Sequence, residues 1–273
     1  MSELKTIKSV SQPATRQSLA RDLRQLGLQP GQVVLVHSSM KALGWVNGGP
    51  VAVIQALMDV LTADGTLVIP AHSGEYSDPA GWENPPVPEA WVETVRQTMP
   101  LFDAQRTPTR GIGRIAELFR TWPDVARSDH PQVSFAAWGK RAQFVTEGHE
   151  LAFSLGETSP LARVYDLDGL VLMLGTGYDS NTSLHLAEYR APNPPLTQNA
   201  VPWLEHGERI WKTFPDNDFE DDLFPKTGAA FEGQDEIIIG KVAAATCRLI
   251  PQRKLVDFGV SWFDTYRQTG QTG

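Results

Sequence analysis

His185 and Glu188, three residues apart, have the types and spacing needed for proton-transfer chemistry. They follow residues 175–184, where a buried strand is predicted to end in glycines and a helix to begin at Asn181 or Thr182. At this spacing both side chains lie on one face of the helix. The positive end of the helix dipole favours a neutral imidazole, so His185 is a candidate base that Glu188 could orient. The alternative is a surface pair at helical spacing.

Two other parts of the sequence could bind anions. His37-Ser38-Ser39 ends the first predicted strand, where hydroxyls and backbone N–H groups can hold phosphate. Residues 106–114 place three arginines around a glycine turn, and Arg127 precedes a further strand, predicted over 133–138. The alternatives are a serine cap on a turn and solvated surface arginines.

Carboxylates gather in residues 216–222, Asp-Asn-Asp-Phe-Glu-Asp-Asp. Together with Glu75 and Tyr76 in a long predicted loop, they could pair with the amines of a polycationic ligand. A solvated acidic loop is the alternative reading.

Composition and missing motifs exclude several functional classes. The chain has 273 residues and a net charge of −8, which argues against nonspecific nucleic-acid binding and tolerates a cationic substrate. Its single cysteine, Cys247, excludes an internal disulfide and multi-cysteine zinc sites, and we expect a buried structural thiol. The sequence lacks the glycine-rich motifs that bind nucleotide phosphates and dinucleotides, and it lacks the Gly-x-Ser-x-Gly motif of serine hydrolases. Its histidines show no paired metal-binding spacing, so no metal is expected. The polar start and the lack of a long apolar segment predict a cytoplasmic protein without a membrane partner.

Alternating strands and helices predict an α/β fold, a single elaborated α/β/α domain with a mixed, largely parallel central sheet. Residues 1–12 are predicted to be a flexible arm, and residues 13–273 one domain. Its long irregular segments at 71–88 and 192–233 are expected to be active-site loops. The predicted strands are 33–36, 65–70, 133–138, 169–175 and 254–258. The predicted helices are 15–26, 50–61, 89–98, 113–121, 160–167, one from about 182, 235–249 and a last amphipathic helix.

Several stretches in consistent order, from about residue 13 to 262, resemble the aminoglycoside 3-N-acetyltransferases, also called antibiotic N-acetyltransferases. The matching stretches are Val36-His37-Ser38-Ser39-Met40, Asn84-Pro85-Pro86-Val87-Pro88, Thr107-Pro108-Thr109-Arg110-Gly111, Arg127-Ser128-Asp129-His130-Pro131, Ser134-Phe135-Ala136-Ala137-Trp138-Gly139, Gly156-Glu157-Thr158-Ser159-Pro160-Leu161 and Asn181-Thr182-Ser183-Leu184-His185-Leu186-Ala187-Glu188. Ile112 stands where the pattern has methionine, an apolar exchange. The match is looser after Pro192.

The resemblance implies transfer of acetyl from acetyl-CoA to the 3-amine of a 2-deoxystreptamine aminoglycoside, conferring aminoglycoside resistance, on a fold distinct from the common small acetyltransferases. It implies that His185 is the catalytic histidine and Glu188 its carboxylate companion. The implied CoA-pocket residues are His37, Ser38, Ser39, Arg110, Gly111, Ser134, Phe135 and Thr176.

The chemistry of the residues agrees with this implication. An ammonium cannot attack a thioester, so a base such as His185 must remove a proton, and N–H groups near Thr176 or a hydroxyl could stabilise an oxyanion. Direct transfer would not need Cys247. The candidate acceptor-binding residues are Glu75, Tyr76, Asp218, Glu220 and Asp221.

Two alternatives remain open from the sequence. One is acyl transfer to a different amine, because a fold does not fix the acceptor. The other is a noncatalytic CoA-binding protein, which predicts that His185 is buried and paired away from the cleft. The chain is expected to be a monomer or homodimer that binds a small polycationic amine.

Overall fold

The computed structural model describes residues 3–234 and 237–270 of the chain. Helices and strands alternate along most of the chain. In the N-terminal half they are α1 (Glu3–Lys8), α2 (Arg16–Gln25), β1 (Val33–Ser38), α3 (Met40–Leu43), α4 (Gly49–Leu61), β2 (Thr66–Pro70), α5 (Glu89–Thr98), α6 (Arg114–Phe119), β3 (Ala126–Arg127) and β4 (Phe135–Gly139). In the C-terminal half they are α7 (Ala142–Thr146), α8 (Pro160–Asp166), β5 (Leu170–Leu174), α9 (Ser183–Arg190), β6 (Leu196–Glu205), β7 (Glu208–Asn217), α10 (Phe224–Glu232), β8 (Ile238–Val242), β9 (Ala245–Pro251) and α11 (Gln252–Thr269).

Seven strands form a mixed sheet in the order β3-β4-β2-β1-β5-β9-β8. The three central strands are parallel, and Val34 of β1 lies opposite Leu67 of β2 and Leu170 of β5. β4 pairs antiparallel with β2, and β9 pairs antiparallel with β5. The predicted α/β class, with a largely parallel centre, is confirmed.

Helices cover both faces of this sheet. On one face α2, α4 and α6 pack against Val34 and Val36, and on the other α8, α9 and α11 pack against Leu35. All three of these β1 residues are fully buried, which explains why the strand is a continuous apolar run rather than an alternating one.

The chain leaves the central strands in opposite directions. After β1 it runs into α4 on one face, whereas after β5 it runs into α9 on the other. The carboxyl ends of the parallel strands therefore border a crevice from which the two connections diverge, the usual ligand position in α/β folds.

The predicted helix over 235–249 was wrong, although residues 235–236 lie outside the described chain. The segment forms β8 and β9, joined at Ala243, which has a positive φ of 49°. Alanines favour helix locally, but Cys247 and Leu249 of β9 point into the core while the strand pairs with β5. Tertiary pairing therefore overrides helix propensity. Cys247 is buried, as expected, but in a strand.

The predicted strand over 254–258 was also wrong, because these residues belong to α11. Leu255 and Val256 suggested a strand locally. In the helix, however, Leu255, Gly259 and Trp262 recur on one buried face at helical spacing.

Residues 192–233, predicted to be irregular, contain a two-stranded hairpin and α10. Pro202 and Pro215 lie inside β6 and β7, and proline normally argues against a strand. The hairpin turns at His206-Gly207, where both residues have positive φ, as a tight hairpin turn requires. Residues 71–88 contain only two single-turn 3-10 helices.

The N-terminal segment predicted to be flexible includes α1, in which Leu4, Lys5, Ile7 and Lys8 are exposed. Its first two residues lie outside the described chain, and its flexibility stays a prediction. No helix within residues 3–234 and 237–270 is both long and apolar enough to cross a membrane.

Candidate active site

A cleft of about 540 Å³ opens at the carboxyl ends of the three parallel strands. Its size falls in the usual range for small-molecule sites. Each strand end contributes to its wall: His37 from β1, His72 after β2 and Thr176 after β5. His185 and Asn181, at the start of α9, close one side.

His185 and Glu188 form a buried pair on α9. His185 Nδ1 lies 2.6 Å from Glu188 Oε2, and the two residues are 8% and 1% exposed. A carboxylate only accepts hydrogen bonds, so Nδ1 carries a proton, and in the neutral form of the ring the lone pair lies on Nε2. Within the described chain Nε2 has no hydrogen-bond partner, and His185 lines the cleft. The imidazole is therefore free to take a proton there.

The start of α9 holds this pair in place. Asn181 Oδ1 accepts a hydrogen bond from Ser183 N at 3.1 Å, fixing the first turn before His185. The His185 ring packs between Phe219 and Phe224, with ring centroids 4.4 and 4.8 Å away. Glu188 Oε1 accepts a hydrogen bond from Glu220 N at 2.6 Å. Both oxygens of the glutamate are thus engaged.

Two further histidines line the cleft. Burial, with the nearby His185, lowers the pKa of His37 to about 3. Burial likewise lowers the pKa of His72 to about 3, helped by the other histidines and Arg127. Both imidazoles are neutral at physiological pH. His72 was not singled out from the sequence, although its position two residues after a central parallel strand could have indicated it.

The turn before α6 presents open backbone to the cleft. Gly111 and Gly113 have φ values of +77° and +90°, and a Cβ added at either would meet nothing within 4 Å. A ligand can therefore approach this backbone closely. Arg114 and Lys41 add positive charge to the lining of the cleft, which also includes apolar side chains such as Ile112. This mixture fits a long ligand with apolar and anionic parts.

The predicted CoA-pocket residues divide into three groups. His37, Ser38, Ser39, Gly111 and Thr176 line the cleft. Arg110 instead lines a smaller cavity of about 240 Å³ that Glu75 and Trp82 also border.

Ser134 and Phe135 are fully buried, outside the described cleft lining. The Ser134 hydroxyl donates to Ala71 O at 2.8 Å, and the Phe135 ring packs edge-on against His72 at 5.2 Å. Both therefore support the wall from behind.

Arg127, one of the arginines suggested for anion binding, is occupied inside the protein. Its guanidinium donates to Ala71 O at 2.6 Å, Ser73 Oγ at 2.9 Å and Ser134 Oγ at 2.9 Å. Burial lowers the pKa of Arg127 to about 10. It fixes the segment beside His72 rather than facing solvent.

The predicted acceptor-binding residues are also dispersed. Asp221 lines the cleft, together with Asp179, which was not proposed from the sequence. Tyr76 is buried, and its hydroxyl accepts a hydrogen bond from Thr107 Oγ1 at 3.4 Å. Asp218 is exposed.

Two carboxylates of the acidic run serve the fold. Asp216 is buried and accepts hydrogen bonds from Ser154 N at 3.1 Å, Ser154 Oγ at 2.7 Å and the Tyr189 hydroxyl. Glu220 is ion-paired with Arg267 at 2.6 Å. Only part of the run is therefore available to a ligand.

Known proteins match this chain over most of its length. Residues 35–264 match the model of the family described as aminoglycoside 3-N-acetyltransferase. The chain is 48% identical to the Bacillus subtilis SPbeta prophage-derived aminoglycoside N(3')-acetyltransferase-like protein YokD, covering 95% of this chain and 96% of YokD. It is 36% identical to aminoglycoside N(3)-acetyltransferase VII of Streptomyces paromomycinus, covering 97% and 96%.

Solved structures show the same likeness. The crystal structure of B. subtilis YokD matches with a TM-score of 0.95 and 47% identity, over 97% of this chain and 98% of that one. The structure of AAC-IIIb in a binary complex with CoASH matches with a TM-score of 0.82 and 32% identity, over 93% of this chain and 97% of that one. The structure of AAC-VIa bound to sisomicin matches with a TM-score of 0.83 and 30% identity, over 93% of this chain and 98% of that one. The chain therefore belongs to the aminoglycoside 3-N-acetyltransferase family.

Proposed function

We propose that this enzyme transfers acetyl from acetyl-CoA to the 3-amine of a 2-deoxystreptamine aminoglycoside, with His185 as general base, and so confers aminoglycoside resistance. The observation that carries the proposal is the hydrogen bonding of His185: Nδ1 is held by Glu188 while Nε2 is unpartnered in the described chain, beside the cleft. A noncatalytic coenzyme-binding protein would pair His185 away from the cleft, and this arrangement argues against it.

His185 performs the proton transfer in this proposal. The amine nitrogen bonds to the acetyl carbon as the carbon–sulfur bond breaks, and His185 Nε2 takes a proton from the amine. The imidazolium is stabilised by Glu188 through Nδ1–H. Its Nε2 proton then passes to the departing thiolate, so the products are the amide and the free thiol of CoA and the histidine is neutral again. No residue is acetylated, so Cys247, which is buried in β9, has no part.

The coenzyme side is the wall formed by the β1 end and the turn before α6. Acetyl-CoA would supply the acetyl thioester. We assign its binding to His37, Ser38, Ser39, Gly111 and Thr176, with Arg110 at the edge. Arg114 and Lys41 provide positive charge for its phosphates in a chain of net charge −8. A family member, AAC-IIIb, is known in complex with CoASH, which supports this assignment.

The acceptor side is the acidic part of the same cleft. Asp221 and Asp179 line it, and Glu75 borders the neighbouring cavity. Carboxylates attract the ammonium groups of an amino sugar, and the binding of sisomicin by AAC-VIa supports an acceptor of this class. Asp218 and Tyr76 remain proposed contacts, whereas Glu220 faces Arg267.

Thiol release from acetyl-CoA with a panel of amines tests the proposal. We expect turnover with 2-deoxystreptamine aminoglycosides, and NMR of the product should place the acetyl group on the 3-amine. The panel should include small metabolic amines as alternative acceptors. Turnover confined to those amines would overturn the acceptor assignment, and coenzyme binding without any transfer would overturn the enzymatic one.

A further inference from the structure

Arg267 ties the end of the last helix to the segments on either side of the catalytic pair. It lies in the last turn of α11, and its side chain is only 10% exposed. Its Nη1 donates to the backbone oxygens of Glu188 and Ala191, at 3.3 and 3.2 Å, where α9 ends. Nε and Nη2 both donate to Glu220 Oε2, at 2.9 and 2.6 Å. One guanidinium thus joins α9 to the segment around Glu220.

That segment touches both members of the pair. The backbone N–H of Glu220 donates to Glu188 Oε1 at 2.6 Å. The preceding residue, Phe219, packs its ring 4.4 Å from the ring of His185. A shift of these two residues would therefore disturb the carboxylate and the imidazole together.

The local conformation does not hold this segment alone. Glu220 follows the end of β7 and precedes a single 3-10 turn, outside any longer helix or strand. Its side chain is 20% exposed, so the ion pair with Arg267 is largely shielded from solvent. Shielded, multiply bonded arginine–carboxylate pairs restrain geometry more strongly than exposed ones.

We propose that Arg267 is a positioning residue for the reaction, acting through Glu220 to hold Phe219 and the Glu220 N–H against His185 and Glu188. The inference rests on the proposed function of His185. It also assigns Glu220 to orientation of the base rather than to the acceptor. Arg267 touches neither substrate nor the reacting atoms.

The matched control is Arg190, which lies on α9 two residues beyond Glu188. Its Nε and Nη2 donate to the Glu157 carboxylate at 2.7 and 2.9 Å. This is also a two-bond arginine–carboxylate pair, but it has no link to Glu220, and its carboxylate is more exposed, at 65%. Arg267→Met and Arg190→Met each remove one such pair and keep the aliphatic stem. Arg267→Lys keeps the positive charge but cannot donate two hydrogen bonds from a planar guanidinium, so it should retain more activity than Arg267→Met and less than wild type.

We expect Arg267→Met to lower kcat about tenfold, since it loosens a hydrogen bond to a charged group, with little change in the KM for acetyl-CoA. Arg190→Met should leave kcat within about twofold of wild type. In a Glu188→Gln background, Arg267→Met should cause no further loss, because the proton-accepting Nε2 that the positioning serves is already lost there. A tenfold loss that persists in that background overturns the proposal, as does an unchanged kcat in Arg267→Met.

A second measurement does not require turnover. The Nδ1 proton of His185, hydrogen-bonded to a carboxylate, should give a downfield proton NMR signal that is lost in His185→Ala. We expect this signal to weaken or shift in Arg267→Met and to persist in Arg190→Met. An unchanged signal in Arg267→Met would refute the positioning role. Absence of acetyl transfer by the wild-type protein would instead refute the proposed function, and the NMR comparison would still decide the role of Arg267.

Discussion

Replacing Glu188 by glutamine should inactivate the enzyme while leaving its shape almost unchanged. The two oxygens of Glu188 have different partners: Oε1 accepts from Glu220 N and Oε2 from His185 Nδ1, both at 2.6 Å. In Glu188→Gln the amide oxygen must stay opposite the Glu220 N–H, because that donor would otherwise be left buried and unpaired. The amide NH₂ then faces His185.

This orientation reverses the tautomer of the histidine. Facing an NH₂ donor, Nδ1 must accept, so the ring proton moves to Nε2 and the nitrogen beside the cleft can no longer take a proton. The corresponding Asp-to-Asn change in Ser-His-Asp enzymes lowers kcat by about 10⁴-fold. We expect a loss of about 10³- to 10⁴-fold in kcat, equivalent to about 4 to 5.5 kcal/mol of transition-state stabilisation.

The assay is thiol release from acetyl-CoA at saturating acceptor, with Tm measured in parallel to show that the variant folds. Glu157→Gln, which removes an ion-pair partner of Arg190 on the surface, is the matched control and should keep kcat near wild type. A folded Glu188→Gln variant with kcat within tenfold of wild type would refute this reasoning.

Two further expectations concern stability. A Cβ at Gly228 would lie 2.0 Å from Cγ of Tyr178, so Gly228→Ala should lower the Tm by roughly 5 °C. Gly81 has open space around its Cβ position, so Gly81→Ala is the control and should change the Tm little. Equal effects of the two substitutions on the Tm would contradict the packing described. Burial lowers the pKa of His130 to about 4 and of His149 to about 3, below the value of about 6.5 in the unfolded chain. As the pH falls below 6.5, the unfolded state therefore binds more protons than the folded state, and the protein becomes less stable. Between pH 6.5 and the pKa of the folded state, each histidine should lower the free energy of unfolding by about 1.4 kcal/mol per pH unit. Urea denaturation between pH 7.5 and 5 measures this loss, and a flat profile would contradict it.

The central part of the fold could be predicted because its signals are local. Val33–Val36 and the strand after Gly169 are apolar runs buried on both faces, and glycines mark where they end. The spacing of His185 and Glu188 places them together on α9 without any knowledge of distant residues. The candidate site was therefore found where a strand end and a helix start adjoin in sequence.

What the sequence could not supply depends on distant contacts. Glu220 looked like one more acidic loop residue, and only the placement of α11 shows that its partner is Arg267, 47 residues away. Arg127 looked available for an anion, but its hydrogen bonds run to the distant residues Ala71 and Ser73. The strands β8 and β9 are fixed by pairing with β5, which outweighs the helix propensity of residues 243–245. Charge and local propensity carry no information on such partners.

The measurement that bears most directly on the proposed role of His185 as general base is the turnover of His185→Ala with acetyl-CoA and an aminoglycoside, alongside binding of each substrate by calorimetry. Loss of a general base typically lowers the rate by about 10²- to 10⁴-fold. We expect kcat to fall by at least 10²-fold while both substrates still bind. Undiminished turnover in His185→Ala would contradict its role as the base.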